Sequence, residues 1–320
     1  MSIVPAPPRV VSTELKRRAQ PFLDARRSAN TKRAYGSAWR LFTAFCEHEG
    51  TQPLPATSET VADYILGLAE RKKKVATIAL YVSAISAAHK GLGHDDPTKS
   101  PEITAILEGV RRKLGTAPTQ KKPLLLKHLK KIIPLLPRTL QGKRDRAMLL
   151  TLYAGGFRRD ELVRLDVGDL KWGKDLLEIR LRKSKTDQTG KGFTKFIPRL
   201  KQHRTLCAYT ALKMWLSLAG ISSGFVFREV DKHGHVGKKG LGGKTVAIIV
   251  KRAVKLAGLD PREYSGHSGR AGVISELLNQ GEHPLTITKI TGHQSLDMLA
   301  RYDRESGKRS SRAVGKALGG

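Results

Sequence analysis

Hydrophobic side chains recur at helical spacing through the first third of the chain. In residues 32–48 the apolar and aromatic positions lie three or four residues apart, and residues 61–68 and 77–89 repeat the pattern. Such spacing places the side chains on one face of an α-helix. No β-rich run interrupts these segments, so the pattern predicts a small all-α domain over residues 12–113. Residues 1–11 are rich in proline and are expected to be disordered.

The segment from Arg111 to Pro123 separates this helical region from the rest of the chain. It mixes basic residues with Gly, Thr and Pro, contains no acidic residue and has no apolar period. These properties predict a linker, which we place at residues 114–123.

Alternation with a period of two appears beyond the linker. Residues 176–182 and 193–198 alternate apolar and polar positions on either side of a polar, basic turn, which predicts a β-hairpin. A short apolar run at 225–227 predicts another strand. The other periodic segments are helical, so residues 124–303 are predicted to form a mainly α domain with a small antiparallel sheet. Residues 304–320 are long enough for one further helix.

Basic residues greatly outnumber acidic ones. The 320 residues include 59 Lys and Arg against 28 Asp and Glu, a formal charge of +31, which is far above what solubility requires. These basic residues recur along the whole chain, which favours a nucleic acid over a membrane surface or an acidic protein as the partner. The linker is then either a solvated spacer or a segment that lies along DNA phosphates.

Neither a membrane nor an oxidising compartment is indicated. The longest apolar runs are far too short to span a bilayer, and the N-terminal residues lack the charged and apolar regions of a secretory signal. Cys46 and Cys207 lack C-x-x-C spacing, which fits buried thiols in a reducing compartment. We expect a cytoplasmic, nucleoid-associated protein.

Two segments approach ligand-binding motifs without matching them. The stretch G-K-K-G-L-G-G-K-T at 237–245 approaches a phosphate-binding loop, but Lys238 stands where the motif requires its first glycine. A flexible basic loop is the better interpretation. His233 and His235 could form half of a metal site, yet no cluster at ligand spacing completes it, so a solvated loop is expected. The sequence therefore predicts no metal and no cofactor.

The stretch S-G-H-S-G-R-A-G at 265–272 carries a more informative pattern. His267 and Arg270 lie three residues apart at the start of a predicted helix and share a face, where the amides of the helix N-terminus favour an anion. The glycines around them would permit close approach of the backbone to that anion. Taken alone, the motif is better explained as a capped surface helix.

Further residues extend the pattern. Arg158 follows a Gly-Gly turn, with Glu161 three residues on and able to orient a neighbour; His293 lies in T-G-H-Q-S and Tyr302 in M-L-A-R-Y-D. Each alone fits a surface ion pair, a helix start or a core aromatic side chain. In order along the chain, however, the set resembles the tyrosine recombinase (phage integrase) family. The stretch Y-S-G-H-S-G-R-A-G and the compact tail are most similar to the Cre-type subgroup, although Cre has tryptophan at the position of His293.

The resemblance implies a chemical role for each matching residue. Arg158 and Arg270 would clamp the non-bridging oxygens of a DNA phosphodiester. Tyr302 would attack the phosphorus, forming a 3′-phosphotyrosine and freeing a 5′-hydroxyl. His267 would be the general base toward the phenol, and His293 would donate a hydrogen bond to the phosphate.

In this family a lysine on a β-hairpin supplies the proton for the leaving oxygen. Lys185 matches that lysine by its S-K-T context, with Lys183 as its competitor; a solvated charge is the simpler explanation of either. The resemblance implies no metal or nucleotide, because the phosphotyrosine conserves the bond energy of the cleaved strand.

The resemblance also implies partners. Residues 12–113 would be a core-binding domain that clamps double-stranded DNA together with the catalytic domain, on recombination sites with inverted repeats. The tail at 304–320 would dock on a neighbouring protomer and close a homotetramer. Two other functions stay open. One is a type IB topoisomerase-like enzyme, in whose family lysine usually replaces His267, and the other is a catalytically inactive DNA-binding relative.

Overall fold

The computed structural model describes residues 27–117, 120–182, 192–293, 295–300 and 302–303, with the single residues 311, 314 and 318. The chain divides into two compact units, Met1–Thr119 and Gln120–Gly320. Each unit has its own core of buried apolar side chains. Among the described residues, no helix combines the length and the apolar character needed to cross a membrane.

The first unit is helical where it is described. Its helices are Ala29–Glu49 (α1), Ser58–Glu70 (α2), Val75–Gly91 (α3) and Pro101–Leu114 (α4). Three of them begin at a Ser or Thr whose hydroxyl accepts a backbone N–H of the first turn, which stabilises the helix N-terminus. Phe42, Ile65, Ile78 and Ile85 lie fully buried between the helices, as the helical spacing of the sequence predicts.

The second unit is also mainly helical. Its described helices are Leu126–Ile132 (α5), Leu140–Ala154 (α6), Arg159–Val163 (α7), Ala208–Leu218 (α8), Gly243–Leu256 (α9), Ser268–Asn279 (α10), Pro284–Thr291 (α11) and Asp297–Ala300 (α12). Met148, Leu149, Leu150 and Leu152 of α6 are consecutive or near-consecutive and all buried. Since they point in different directions around the helix, α6 runs through the middle of the core.

Two small antiparallel sheets complete the second unit. Their strands are Leu170–Trp172 (β1), Leu176–Leu181 (β2), Phe193–Pro198 (β3), Arg228–Val230 (β4) and Val236–Gly240 (β5). One sheet has the order β1-β2-β3, and the other pairs β4 with β5. The strands of the predicted hairpin coincide with β2 and β3. The sequence analysis missed β1, which has only 3 residues and so gives no usable alternation.

The strand predicted at residues 225–227 is wrong in position. Strand β4 begins at Arg228, because the residues before it contact other parts of the unit: Phe225 forms an isolated bridge with Asp166, and the side chains of Val226 and Phe227 are buried in the core. The indole of Trp215 donates to the carbonyl of Val226 at 2.8 Å, and the N–H of Val226 donates to the carbonyl of Leu165 at 2.9 Å. An apolar run can therefore signal burial in the core where the chain forms no regular strand.

The flexible loop predicted at residues 237–245 is also wrong. Its first part belongs to β5, and Gly243 begins α9. At Gly240 an added Cβ would lie 2.7 Å from the ring of Phe225, so this glycine permits close packing. His233 and His235 are exposed in the turn before β5, as expected.

Candidate active site

Arg158 is positioned by the end of α6 and the start of α7. Gly156 adopts a left-handed backbone conformation (φ 54°), which turns the chain and directs it into α7 with Arg158 as the N-cap residue. The carboxylate of Glu161 accepts the backbone N–H of Arg158 at 2.9 Å and its side-chain Nη1 at 2.6 Å. Glu161 is buried, so these two hydrogen bonds hold the Arg158 guanidinium in place from the protein interior.

Arg270 of α10 is buried and joins three segments of the chain. Its Nη1 donates to the carbonyls of Gly156 and Thr291, both at 2.7 Å, and its Nη2 contacts Nε2 of His293 at 3.0 Å. Burial and the charge of Arg158 lower the pKa of Arg270 to about 10. The guanidinium stays charged at neutral pH.

The hydrogen bonds of His293 define its tautomer. The hydroxyl of Thr291 donates to the carbonyl of Ile287 at 2.6 Å, so at 2.7 Å from His293 Nδ1 it accepts a proton from that nitrogen. Nε2 is then unprotonated and accepts from Arg270. Burial, followed by the charges of Arg270, Arg158 and Lys195, lowers the pKa of His293 to about 3. The imidazole is therefore neutral at neutral pH. Donation from Nε2 to a phosphate would need the opposite tautomer and the release of Arg270.

Tyr302 lies beside these two residues. Its ring centroid is 5.7 Å from that of His293, and its backbone carbonyl accepts the hydroxyl of Ser275 at 3.2 Å. The Tyr302 side chain also lies close enough to Arg270 to act on its pKa, and it partly offsets the lowering by burial. The phenol of Tyr302 thus lies next to a buried guanidinium.

His267 is the N-cap residue of α10 and borders the site. The side chain is exposed at the surface, whereas Arg270 one turn on is buried. Partial loss of water and the charges of Arg159, Arg270 and Arg158 lower the pKa of His267. Its imidazole is therefore neutral and able to accept a proton at neutral pH.

The glycines of α10 serve a different purpose from the one expected. An added Cβ at Gly269 would lie 2.8 Å from the side chain of Leu152, and one at Gly272 would lie 2.6 Å from the carbonyl carbon of Leu124. Both glycines face other parts of the unit. The expectation that they let the backbone approach an anion is corrected: they let α10 pack against α6 and the segment before α5.

Lys195 of β3 belongs to the site, and the sequence analysis missed it. It is 2% exposed, and its Nζ donates to the carbonyls of Gly155 at 2.7 Å and Ile290 at 2.8 Å. Burial lowers its pKa to about 7; the charge of Glu161 opposes this shift, and the charges of Arg270 and Arg158 add to it. Alternation in F-T-K-F-I-P could have revealed it, because the lysine falls on the same face as Ile197.

The proposed proton donor for the leaving oxygen cannot be placed. Lys183 and Lys185 lie outside the described residues, between β2 and β3 in the sequence. The assignment of Lys185 stays a prediction.

The described site is a buried cluster with excess positive charge. The cluster contains three cationic side chains that repel one another: Arg158, Arg270 and Lys195. The carboxylate of Glu161 attracts all three. Such a cluster suits an anion with several oxygens, such as a phosphodiester, with the Tyr302 hydroxyl as a nucleophile. In the part of the chain that the structure describes, no group of three or more His, Cys, Asp or Glu residues could hold a metal ion.

Replacing Glu161 with glutamine tests the balance of this cluster. The amide keeps the size of the side chain but leaves three cationic groups without their carboxylate, so we expect a loss of about 1–3 kcal/mol in the free energy of unfolding. Thermal or urea unfolding measures it. Glu178→Gln is the matched control, because Glu178 pairs loosely with Lys171 (3.7 Å) near the surface. Equal losses in both variants would contradict the balancing role of Glu161.

The sequence of the chain is similar to a known family and to several of its members. A model of the phage integrase family matches residues 122–309, more than half of the chain. Over 296 residues the chain is 36% identical to an integrase/recombinase xerD homolog of Selenomonas ruminantium, covering 91% of this chain and 85% of that protein. The recombinase cre of Escherichia phage P1 is 22% identical over 298 residues, with 87% and 84% of the two chains covered.

Solved structures share the fold. The Tn1549 transposon integrase in complex with transposon right end DNA superposes with a TM-score of 0.63 and 19% identity, covering 95% of this chain and 98% of that one. The likeness establishes a mainly α tyrosine recombinase/integrase catalytic fold with small antiparallel sheets. The fold class and the family predicted from the sequence are both confirmed.

Proposed function

The chain belongs to the phage integrase family and is a tyrosine recombinase, and from this premise we propose that it cleaves and rejoins DNA at specific sites through a 3′-phosphotyrosine. The proposal rests on one observation: the side chain of Tyr302 lies against the buried guanidinium of Arg270, and the charge of Arg158 acts on that guanidinium. This arrangement supplies a nucleophile and two phosphate-binding forks at one place.

The proposed reaction divides the work among the site residues. Arg158 and Arg270 bind the non-bridging oxygens and stabilise the charge of the transition state. The oxygen of Tyr302 attacks phosphorus while its proton passes to His267, and the bond from phosphorus to the 5′-oxygen breaks. Lys185 gives its proton to that oxygen. Attack of another 5′-hydroxyl on the phosphotyrosine reverses the step and joins the new strand.

Covalent trapping tests the proposal. The protein is incubated without metal or ATP with nicked duplexes, selected from a random pool, that lose a short fragment after cleavage and so cannot religate. We expect a denaturant-resistant adduct on the 3′ side of the break, which Tyr302→Phe abolishes and Tyr81→Phe retains. Tyr81 is the matched control because it lies in the first unit.

The other outcomes of this experiment point to the alternative functions. Specific binding with no adduct in the wild-type protein would favour a catalytically inactive DNA-binding relative. Relaxation of supercoiled DNA that lacks the selected sites would favour a type IB topoisomerase-like enzyme.

We further propose a homotetramer on two double-stranded sites with inverted repeats, in the cytoplasm with the nucleoid. A structural relative bound to transposon end DNA supports a DNA partner, and the excess of positive charge fits it. Sedimentation of protein with duplexes carrying one or two sites tests the assembly. Removal of residues 304–320 is expected to abolish the four-protomer complex while single-site binding persists.

A further inference from the structure

The side chain of Lys195 in β3 points into the protein, although an amine is unfavourable there and the apolar side chain of its neighbour Phe196 is 59% exposed. The register of the sheet sets this arrangement, because Lys195 pairs with the buried residue Ile179. Burying an amine costs free energy unless its donors are satisfied. The contacts of Lys195 must therefore offset that cost.

Lys195 and Arg270 bind neighbouring carbonyls on the same two segments. Lys195 Nζ donates to the carbonyls of Gly155 and Ile290. Arg270 Nη1 donates to the carbonyls of the next residue in each segment, Gly156 and Thr291. Two cations, one from β3 and one from α10, thus hold the same pair of chain segments together.

Each segment carries a site residue three positions further on. Gly155 precedes Arg158 by three residues, and Ile290 precedes His293 by three. Lys195 itself lies on β3, which follows Lys185 in the sequence. One amine therefore connects three parts of the site: the segment before Arg158, the segment before His293 and strand β3.

We propose that Lys195 is a positioning residue that holds the segments of Arg158 and His293 in register with the β2–β3 hairpin. This inference rests on the proposed function. Lys195 does not reach the phosphate, because its amine is buried, bound to two carbonyls, and set 5.0 Å from the ring centroid of Phe157 and 5.4 Å from that of Phe193. A neutral amine keeps the two N–H groups that the carbonyls need.

Cleavage kinetics distinguish positioning from proton donation. In Lys195→Met we expect DNA affinity to change by less than about 3-fold and the cleavage rate at saturating protein to fall by about 10²-fold, the cost of a small misplacement of reacting groups. A substrate with sulfur as the bridging 5′ atom needs no proton on its leaving group. It should therefore leave the Lys195→Met defect in place, whereas it should restore Lys185→Met.

The controls separate a local effect from a general loss of folding. Lys213→Met removes a lysine that also lies over an aromatic ring, Trp172, at 6.0 Å, but is exposed; we expect wild-type rates. Lys195→Gln keeps two N–H donors on a shorter chain and should recover part of the rate, even if Lys195→Met fails to fold. An unchanged rate in both Lys195 variants, or full recovery of Lys195→Met with the sulfur substrate, would overturn the proposal.

Hydrogen exchange tests the bracing role without any reaction. In the variants, backbone amides of residues 155–158 and 290–293 should exchange faster than in the wild-type protein, while those of α8 should not change. Unaltered exchange at both segments would contradict the inference even in an active enzyme. Conversely, the wild-type protein could form no adduct while the variants show the faster exchange. That result would refute the proposed function and support the bracing role.

The pH dependence of stability gives a further readout. The pKa of Lys195 in the folded protein, about 7, lies below that of an unfolded lysine, about 10.4. Between these values the unfolded state binds more protons, so stability rises as the pH rises. The charged groups that act on Lys195 are Glu161, Arg270 and Arg158. We expect Tm to rise more steeply with pH over that range in the wild-type protein than in Lys195→Met; parallel slopes would show that Lys195 is not held in this environment.

Discussion

Replacing Arg270 with lysine is expected to reduce the rate of strand cleavage by about 10³-fold or more. The guanidinium donates in three directions, to the carbonyls of Gly156 and Thr291 and to Nε2 of His293, and it lies against Tyr302. A lysine keeps the charge but not the planar fork. Loss of one donor aimed at a developing charge commonly costs about 10²–10³-fold, and here the supports of two site segments are lost as well.

Single-turnover cleavage of a nicked duplex, with protein in excess, measures this effect separately from DNA binding. Arg262→Lys is the matched control, because Arg262 is exposed in the same unit and pairs with Asp260; we expect its rate to stay within about 2-fold of the wild-type rate, as for surface substitutions in general. An Arg270→Lys rate within 10-fold of the wild type would mean that a point charge suffices, and would remove Arg270 from the proposed phosphate clamp.

The fold was readable from the sequence where the local pattern matches the buried face. The spacing around Phe42 and Ile78 revealed α1 and α3, and alternation revealed β2 and β3, because in these elements one face packs on the core. The apolar run at 225–227 was misleading, because Val226 and Phe227 are buried by tertiary contacts and not as part of a strand. Burial by tertiary contact leaves no local period in the sequence.

The candidate site was only partly readable. Arg158, Arg270, His293 and Tyr302 could be named because their residue types and order resemble a family, and the structure brings them together. Lys195 gave a weaker signal: alternation in β3 puts it on the face of Ile197, but a chain with 59 Lys and Arg offers many lysines, and its match to the family's order of residues is missing. The partner of a buried cation is fixed by segments far apart in the sequence, so it cannot be derived from any single stretch.

The hydrogen bonds of the site show why its residues act as a unit. Arg270 donates to Nε2 of His293, and Glu161 holds Arg158. Lys195 joins the segments that lead to Arg158 and His293. A change in any one alters the surroundings of the others, so effects of paired substitutions should not add. Since Arg270 lies on α10, the geometry that places Tyr302 beside it also depends on how closely α10 packs within the second unit.

Gly272→Ala should reveal that dependence as a loss of about 3 kcal/mol or more in the free energy of unfolding. A Cβ at Gly272 would collide with the carbonyl of Leu124, whose carbon would be 2.6 Å away, and would lie 3.2 Å from the ring of Tyr153. Leu124 cannot yield easily, since it is fully buried and its N–H donates to the carbonyl of Ser268 at 2.8 Å. Backbone overpacking in a core usually costs 1–3 kcal/mol and sometimes more.

Urea unfolding followed by tryptophan fluorescence measures this loss, and Gly109→Ala is the matched control. Gly109 lies within α4 with nothing within 4 Å of an added Cβ, so alanine there should stabilise the helix by about 0.5–1 kcal/mol. Because Gly272 and Arg270 share α10, a displaced helix would also carry Arg270 away from the carbonyls of Gly156 and Thr291, and the cleavage rate should fall with the stability. A stable Gly272→Ala protein with wild-type cleavage would mean that the segment around Leu124 moves aside at no cost, and that close packing of α10 does not hold the site in place.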